Sequence, residues 1–314
     1  MSVIIIESAG LLTTVQDSGR YGYQRYGMPV AGAMDTFSLQ LANMLVGNQH
    51  DDACLETTLT GPEIIFVKPG VIAITGADMS PCKNGKPIPL YKTIEVKSGD
   101  RLSFKKLKNG CRSYIAFAGG INVPLVMGSR STYLRAKIGG FEGRALKAGD
   151  ELPLGETAGK IRIKEIPKEM IPRYQSTQTI QIIPGPEVKR FKLDGIRHFL
   201  TSEYMVTDQS DRMGYRLSGN EIMQQSGNAD IISAGISPGT IQIPGNGQPI
   251  ILMADRQTTG GYARIANVIS VDLTLIAQLK PGDRIRFREI SLEKAQELFK
   301  ARKKINPPPG SEHP

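Results

Sequence analysis

The chain has 314 residues with 39 Lys and Arg against 30 Asp and Glu, a net charge of +9, and it is 40% hydrophobic and 22% charged. With 34 Gly, 20 Pro and no tryptophan, that balance describes a globular, turn-rich protein long enough for two ordinary domains, leaning toward β structure. The cationic excess raises nucleic acid as a partner, but much of it is confined to residues 83–112 and 294–304, so a nucleic-acid partner is not favoured.

The start, MSVIIIESAG, lacks a basic leader and a long apolar run, and reads as a first strand instead of a signal peptide. The longest apolar stretch, IIFVKPGVIAITGA, is broken by Lys68, Pro69 and Gly70 too soon to span a bilayer, so a cytoplasmic location with no membrane partner is expected. Cys54, Cys82 and Cys111 are odd in number and widely spaced, which suits reduced structural thiols. His50, His198 and His313 are too few and scattered for a triad or zinc site.

In QDSGRYGYQRYG (16–27), Arg20 and Arg25 are candidates for holding an anion by paired guanidinium hydrogen bonds, and Gln16 and Asp17 are further candidates for the substrate- and anion-binding site. The same residues could instead brace an irregular loop, with Arg20 set against Asp17 and nearby carbonyls. A helix is expected over residues 35–46, N-capped by Asp35 and ended by Gly47, with Phe37, Leu41, Met44 and Leu45 on one face. Asp78 follows a strand pattern and needs an arginine, a metal or solvent. Residues 93–96 and 101–104 alternate like strands about the turn Lys97-Ser98-Gly99-Asp100, and Ala148-Gly149-Asp150 is another such turn. GSRSTYLRAKIGGFEGRAL (128–146) offers Ser129, Arg130, Ser131 and Thr132, with Arg135 and Arg144, as an anion-binding lining or as a Gly-rich connection facing water.

Two Ile-Pro steps and little periodicity place a junction near Ile171, although KIRIKEI alternates like a strand. Beyond it, QSDRMGYRLSG (209–219) repeats the Ser-x-Arg-x-Gly-Tyr pattern of 18–23, and Gly282-Asp283-Arg284-Ile285-Arg286-Phe287 repeats Gly99-Asp100-Arg101-Leu102-Ser103-Phe104. LETTLTGPEIIF and IISAGISPGTIQI form a third pair in the same order, so the chain reads as a duplication. ADRQTTGGYARIANVISVDL (254–273) follows an apolar strand. Asp255, Arg256 and Gln257 are expected at its end, with Thr258, Thr259, Gly260 and Gly261 turning the chain. Arg20, Asp255 and Arg256 are the candidate catalytic residues, and Asp78 and Asp255 the candidate metal ligands. A last helix, from Leu292 to Arg302, is expected to bury Leu292, Ala295, Leu298 and Phe299, ahead of a frayed tail.

GLLTTVQDSGRYGYQRYGMPVAGAMD, LANMLVGN, LETTLTGPEIIF, AFAGGI, GSRST, SDRMGYRLSG and GQPIILMADRQTTGGYARIANVISVDL together resemble the family of the C-type subunit of bacterial 5-oxoprolinase, also called the Kip-inhibitor antagonist (KipA), allophanate-hydrolase-subunit-2 or biotin-dependent carboxyltransferase family. The resemblance implies a mainly β fold of two cyclophilin-like β-barrel lobes with short helices, here 1–170 and 171–290, followed by a helix and tail at 291–314. It implies a KipI-type B component as partner, with ATP and Mg2+ used to phosphorylate 5-oxoproline before a separate A component opens the ring to glutamate. Two alternatives come with it: carboxyl transfer to urea or another small amide from carboxybiotin supplied by another protein, and antagonism of the Kip kinase inhibitor by binding alone. Arg20 is then expected to touch the anionic ligand, and Arg212 to be partly structural beside Asp211.

Overall fold

The computed structural model describes residues 2–157, 159, 161–225 and 230–305. The expected tail and His313 lie outside the described residues. The chain forms two compact units, one built from Met1–Tyr21 and Ala31–Arg173, the other from Gly22–Val30 and Tyr174–Ile305.

In chain order the first unit contains β1 (Ser2–Ser8), β2 (Leu12–Gln16), α1 (Thr36–Val46), β3 (Cys54–Thr58), β4 (Glu63–Phe66), β5 (Gly70–Asp78), β6 (Pro81–Lys83), β7 (Lys86–Pro87), β8 (Thr93–Val96), β9 (Arg101–Phe104), β10 (Asn109–Phe117) and β11 (Glu151–Leu154). They pair antiparallel into a sheet ordered β11-β1-β4-β9-β6-β7 and another ordered β2-β3-β10-β5-β8. β8 and β9 therefore belong to different sheets, and the turn between them carries the chain across. The second sheet is buried on both faces. Ile115 and Phe117 of β10 enter the core between the sheets with Ile72, Ile74 and Leu55. The alternate residues Tyr114 and Ala116 pack under α1 against Leu41 and Leu45. Burial on both faces explains why SYIAF reads as a continuous run without polar alternation.

The start of α1 is pinned to that sheet. Asp35 caps the helix by accepting from Ser38 N and Ser38 Oγ, while its own N–H donates to Tyr114 Oη at 2.7 Å. Tyr114 in turn donates to Glu56 Oε2 at 2.7 Å, and burial beside that carboxylate pushes the phenol well above its ordinary value. Gly47 ends the helix in the left-handed region, as expected.

The second unit contains β12 (Thr177–Pro184), α2 (Leu193–Thr201), β13 (Glu203–Val206), β14 (Gly214–Ser218), β15 (Asp230–Gly235), β16 (Thr240–Ile243), β17 (Ile250–Leu252), β18 (Thr259–Val268), α3 (Leu273–Ala277), β19 (Arg284–Glu289) and α4 (Leu292–Ile305). Here β12-β19-β13-β14-β17-β16-β18 closes into a seven-stranded barrel through an added β12–β18 pairing, with β15 appended to β18. β12 runs parallel to β19 and antiparallel to β18. Phe199 of α2 stacks on Phe287 of β19 at 4.5 Å. The mainly β class holds for both units, and the second shows the expected barrel closure. Among the described residues no helix is long and apolar enough to cross a membrane.

Two local expectations change. Among its described residues KIRIKEI makes only an isolated bridge, Lys92 to Glu165, where Thr93 N at the start of β8 donates to Lys164 O and Ile166 N donates to Tyr91 O. α4 leaves Leu292 and Phe299 53% and 42% exposed: the helix lies at the surface, tied down by Arg302 donating to Val271 O and Thr274 Oγ1. α2 and α3 have no strong sequence signal; neither carries a side-chain N-cap bond.

One turn is used three times. In Lys97–Asp100, Lys147–Asp150 and Lys280–Asp283 the glycine takes a φ of 80°, 88° and 90° respectively, and the aspartate carboxylate accepts from the lysine backbone N–H at 2.8, 2.8 and 3.0 Å. Each glycine N–H also bonds a neighbouring strand, at Phe66 O, Ile6 O and Val206 O. Positive φ is the geometric demand, since a side chain at Gly99, Gly149 or Gly282 would meet no atom within 4 Å. Replacing Gly282 with Ala is therefore expected to cost about 1–2 kcal/mol from backbone strain alone, measured by denaturant unfolding, and Gly99→Ala should cost the same.

Candidate functional site

The chain leaves β2 through a buried latch. Asp17 accepts from Gly19 N at 2.8 Å and Ser129 Oγ at 2.7 Å, and its second oxygen accepts from Arg130 N. Ser129 and Ser131 share a hydroxyl bond of 2.7 Å. Gln16 Nε2 donates to Thr14 Oγ1 and Thr132 O, and Thr132 Oγ1 donates back to Val15 O. Arg20, 0% exposed, donates from Nε to Val126 O at 3.1 Å and from Nη2 to Ser131 O at 2.7 Å. The fit is close: a Cβ on Gly139 would sit 2.2 Å from Ser131 O and 2.6 Å from Arg20 Nη2.

Two sequence clusters that are more than a hundred positions apart, on the order of a whole domain length, thus form one structural unit. Of the two readings of Arg20, bracing is the one its geometry describes; with no exposed surface it does not reach a ligand here. Ser129, Ser131 and Thr132 are equally buried. Arg130 is half-buried and donates from Nε to Val123 O. Arg25, in the other unit, is exposed and lies over the Tyr26 ring at 4.7 Å. Asp78 accepts from Ser80 N and pairs with Lys108 at 3.2 Å. Arg144 grips Asp150 and Glu142, and holds the Asp150 carboxyl below its ordinary range.

In the second unit the chain leaves β17 at Leu252 and presents Asp255, Arg256 and Gln257, as the strand-end expectation has it. Thr259, Gly260 and Gly261 do not turn the chain; they already belong to β18. Asp255 is not beside a free arginine but clamped by one: Arg212 Nε and Nη2 each donate to one of its oxygens at 3.0 Å, with both residues buried. Asp211, expected as the partner of Arg212, instead accepts from Met213 N and Gly214 N and shapes the turn. Arg256 is fixed by donating to Met253 O and Ile236 O.

Beside Arg256 lies a pocket of about 450 Å³ contained in this unit. A β-bulge builds one wall. β16 pairs Gln242 with Arg264 but Ile241 with Ala266, so β18 holds one extra residue at Ile265. Strict alternation would set Arg264 and Asn267 on opposite faces; the extra residue brings both to the pocket. Arg264 is held bidentate by Glu187, at 2.7 and 2.6 Å, and that guanidinium keeps the Glu187 carboxyl below its ordinary value. Gln257 and Thr258 line the pocket and make no side-chain hydrogen bond among the described residues, and Gln24 enters from the Gly22–Val30 segment. No Asp or Glu among the described lining residues faces it. The pocket is a donor-rich, acid-free cradle suited to a carbonyl or carboxylate oxygen. Sequence reading missed Thr240, Arg264 and Asn267 here; Thr240 and Asn267 are short polar residues in apolar strands, but the bulge that gathers Arg264 and Asn267 on one face has no sequence signal.

The model of the carboxyltransferase domain, subdomains A and B, matches residues 26–289. The chain is 42% identical to the C-type subunit of 5-oxoprolinase from Escherichia coli over 287 residues, covering 91% of each. It is 37% identical to the urea amidolyase of Saccharomyces cerevisiae, covering 95% of this chain and 17% of that protein. The crystal structure of Kluyveromyces lactis urea carboxylase superposes with a TM-score of 0.92 at 34% identity, over 96% of this chain and 28% of that one.

Replacing Asp255 with Asn leaves Arg212 buried without its counter-charge and is expected to cost about 3–5 kcal/mol in a denaturant titration. For Glu187→Gln the sign follows from the lowered carboxyl. The pair's contribution is complete above the unfolded value near 4.5 and disappears as pH falls through the folded one. The melting gap between wild type and variant should hold steady above about pH 5 and close in more acid solution.

Proposed function

From a chain that belongs to the carboxyltransferase domain family, subdomains A and B, we propose the C-type subunit of an ATP-dependent 5-oxoprolinase, working with a KipI-type B component on 5-oxoproline and followed by ring opening on an A component. The likeness to a 5-oxoprolinase C-type subunit spans nearly all of both chains, whereas the likeness to urea amidolyase spans a small part of that protein. The observation that carries the reading is the acid-free pocket with Arg256, Gln257 and Thr258 on its wall.

Phosphorylating a lactam oxygen gathers negative charge on a group of low reactivity beside an anionic donor. Donors already aimed at that oxygen stabilise the charge without reorganising, which is where most electrostatic catalysis arises. Gln257 and Thr258 hold the substrate by neutral hydrogen bonds. Arg256 adds a positive field from a guanidinium that its carbonyl partners keep still. Arg212 and Asp255 position the strand-end loop on which all three ride.

Magnesium is not assigned to this chain's carboxylates. Both oxygens of Asp255 are taken by Arg212 and Asp78 is paired with Lys108, and among the described residues no group of three or more His, Cys, Asp or Glu gathers. These residues do not fit such an ion, and no step is drawn through it. The second reading, carboxyl transfer from carboxybiotin to a small amide, is supported by the superposition on urea carboxylase and needs the same donors.

The two are separated by coexpressing the chain with a KipI-type partner and following ADP release. Release stimulated by 5-oxoproline and not by urea is expected, and Gln257→Ala should raise KM about tenfold. Turnover of urea only with a biotin carboxylase and carrier added would replace the first reading by the second.

A further inference from the structure

Three short polar side chains of the pocket form a directed hydrogen-bond chain. Thr240 Oγ1 donates to Asn267 Oδ1 at 2.9 Å, and Ser237 Oγ lies 3.1 Å from Thr240 Oγ1. A hydroxyl has one proton to give. Thr240 gives its proton to Asn267, so the shared bond with Ser237 must run from Ser237 to Thr240. The Asn267 carboxamide is thereby held by its oxygen, and its amino group, with two donors, has no partner among the described residues.

The backbone fixes the face on which Asn267 stands. Asn267 is paired on both sides, with Thr240 of β16 and with Ile183 of β12, inside a ring whose register cannot slip without breaking every neighbouring pair. The bulge at Ile265 sets Asn267 on the same face as Arg264. Arg264 is oriented by Glu187 and Gly235 O, which take three of its five N–H donors, so its guanidinium is fixed in place beside Asn267.

We propose that Asn267 is a specificity-determining residue of this pocket: with its Oδ1 accepting from Thr240 Oγ1, its Nδ2 is the group left to read a carbonyl or carboxylate oxygen of the bound small molecule. This rests on the pocket being the substrate site of the proposed reaction. A ligand presenting a donor at that point meets an amino group and is refused.

The test uses the full chain coexpressed with the KipI-type partner, with 5-oxoproline and 2-pyrrolidinone, the same lactam without its carboxylate, as probes. Asn267→Asp replaces the donors by an acceptor of equal size. It should raise KM and the dissociation constant for 5-oxoproline at least about tenfold, with kcat changed far less. Thr240→Val frees the amide to turn and should raise KM by about threefold or more, while Thr240→Ser keeps the hydroxyl and should restore it. The Thr240 pair decides the matter if Asn267→Asp does not fold. Unchanged affinity in a folded Asn267→Asp variant, or equal effects of Val and Ser at 240, overturns the assignment. If the wild type binds a probe through Asn267 yet shows no lactam-dependent ADP release, the oxoprolinase reading falls and this one stands; a wild type that binds neither probe overturns it.

Discussion

Ring closure in the second unit is the constraint from which its chemistry follows. β12 is hydrogen-bonded on one side to β19 and on the other to β18, so the barrel strands have neighbours on both sides and no free edge remains within the ring. In an open sheet a one-residue slip exchanges the two faces. A closed ring forbids that, and the single extra residue at Ile265 becomes a fixed instruction about which side chains look into the pocket. The polar wall is as reproducible as the core because the same ladder sets both.

Charge is handled by a second rule common to both units. Arg20, Arg212, Arg256 and Arg264 are each fixed by a carboxylate or by main-chain carbonyls. Arginine serves here because its planar fork can satisfy several acceptors at once and stays charged when buried, which a lysine ammonium does not do as well. The net charge of +9 therefore overstates what is mobile at the surface. The guanidinium that borders the pocket contributes a steady field in place of a swinging contact.

Much of this was legible in the sequence, for identifiable reasons. The Asp35 cap, Gly47 stop and Gly-Asp turns were readable because each depends on one residue's local chemistry. Asp255, Arg256 and Gln257 were readable because an apolar strand ended just before them. The latch was not: Asp17 and Ser129 find each other only through tertiary folding, and a buried arginine braced by carbonyls is written with the same letters as one awaiting an anion. Asp211 looked like the partner of Arg212 because it is adjacent, whereas adjacency along a tight turn directs the two side chains to different tasks. Arg264 and Asn267 escaped because their shared face depends on a bulge, which has no mark in the sequence of β18.

The parallel pairing of β12 with β19 sets an order of events. Thr177 meets Arg284, a loop of roughly a hundred residues, and such distant partners come together late because chain entropy is lost before any contact repays it. On a ribosome, the first strand of the barrel waits exposed until almost the whole unit has been made. The ring that holds Asn267 in register is thus closed only when the last strand arrives between β12 and β13, and a chain truncated before Arg284 would leave the barrel open.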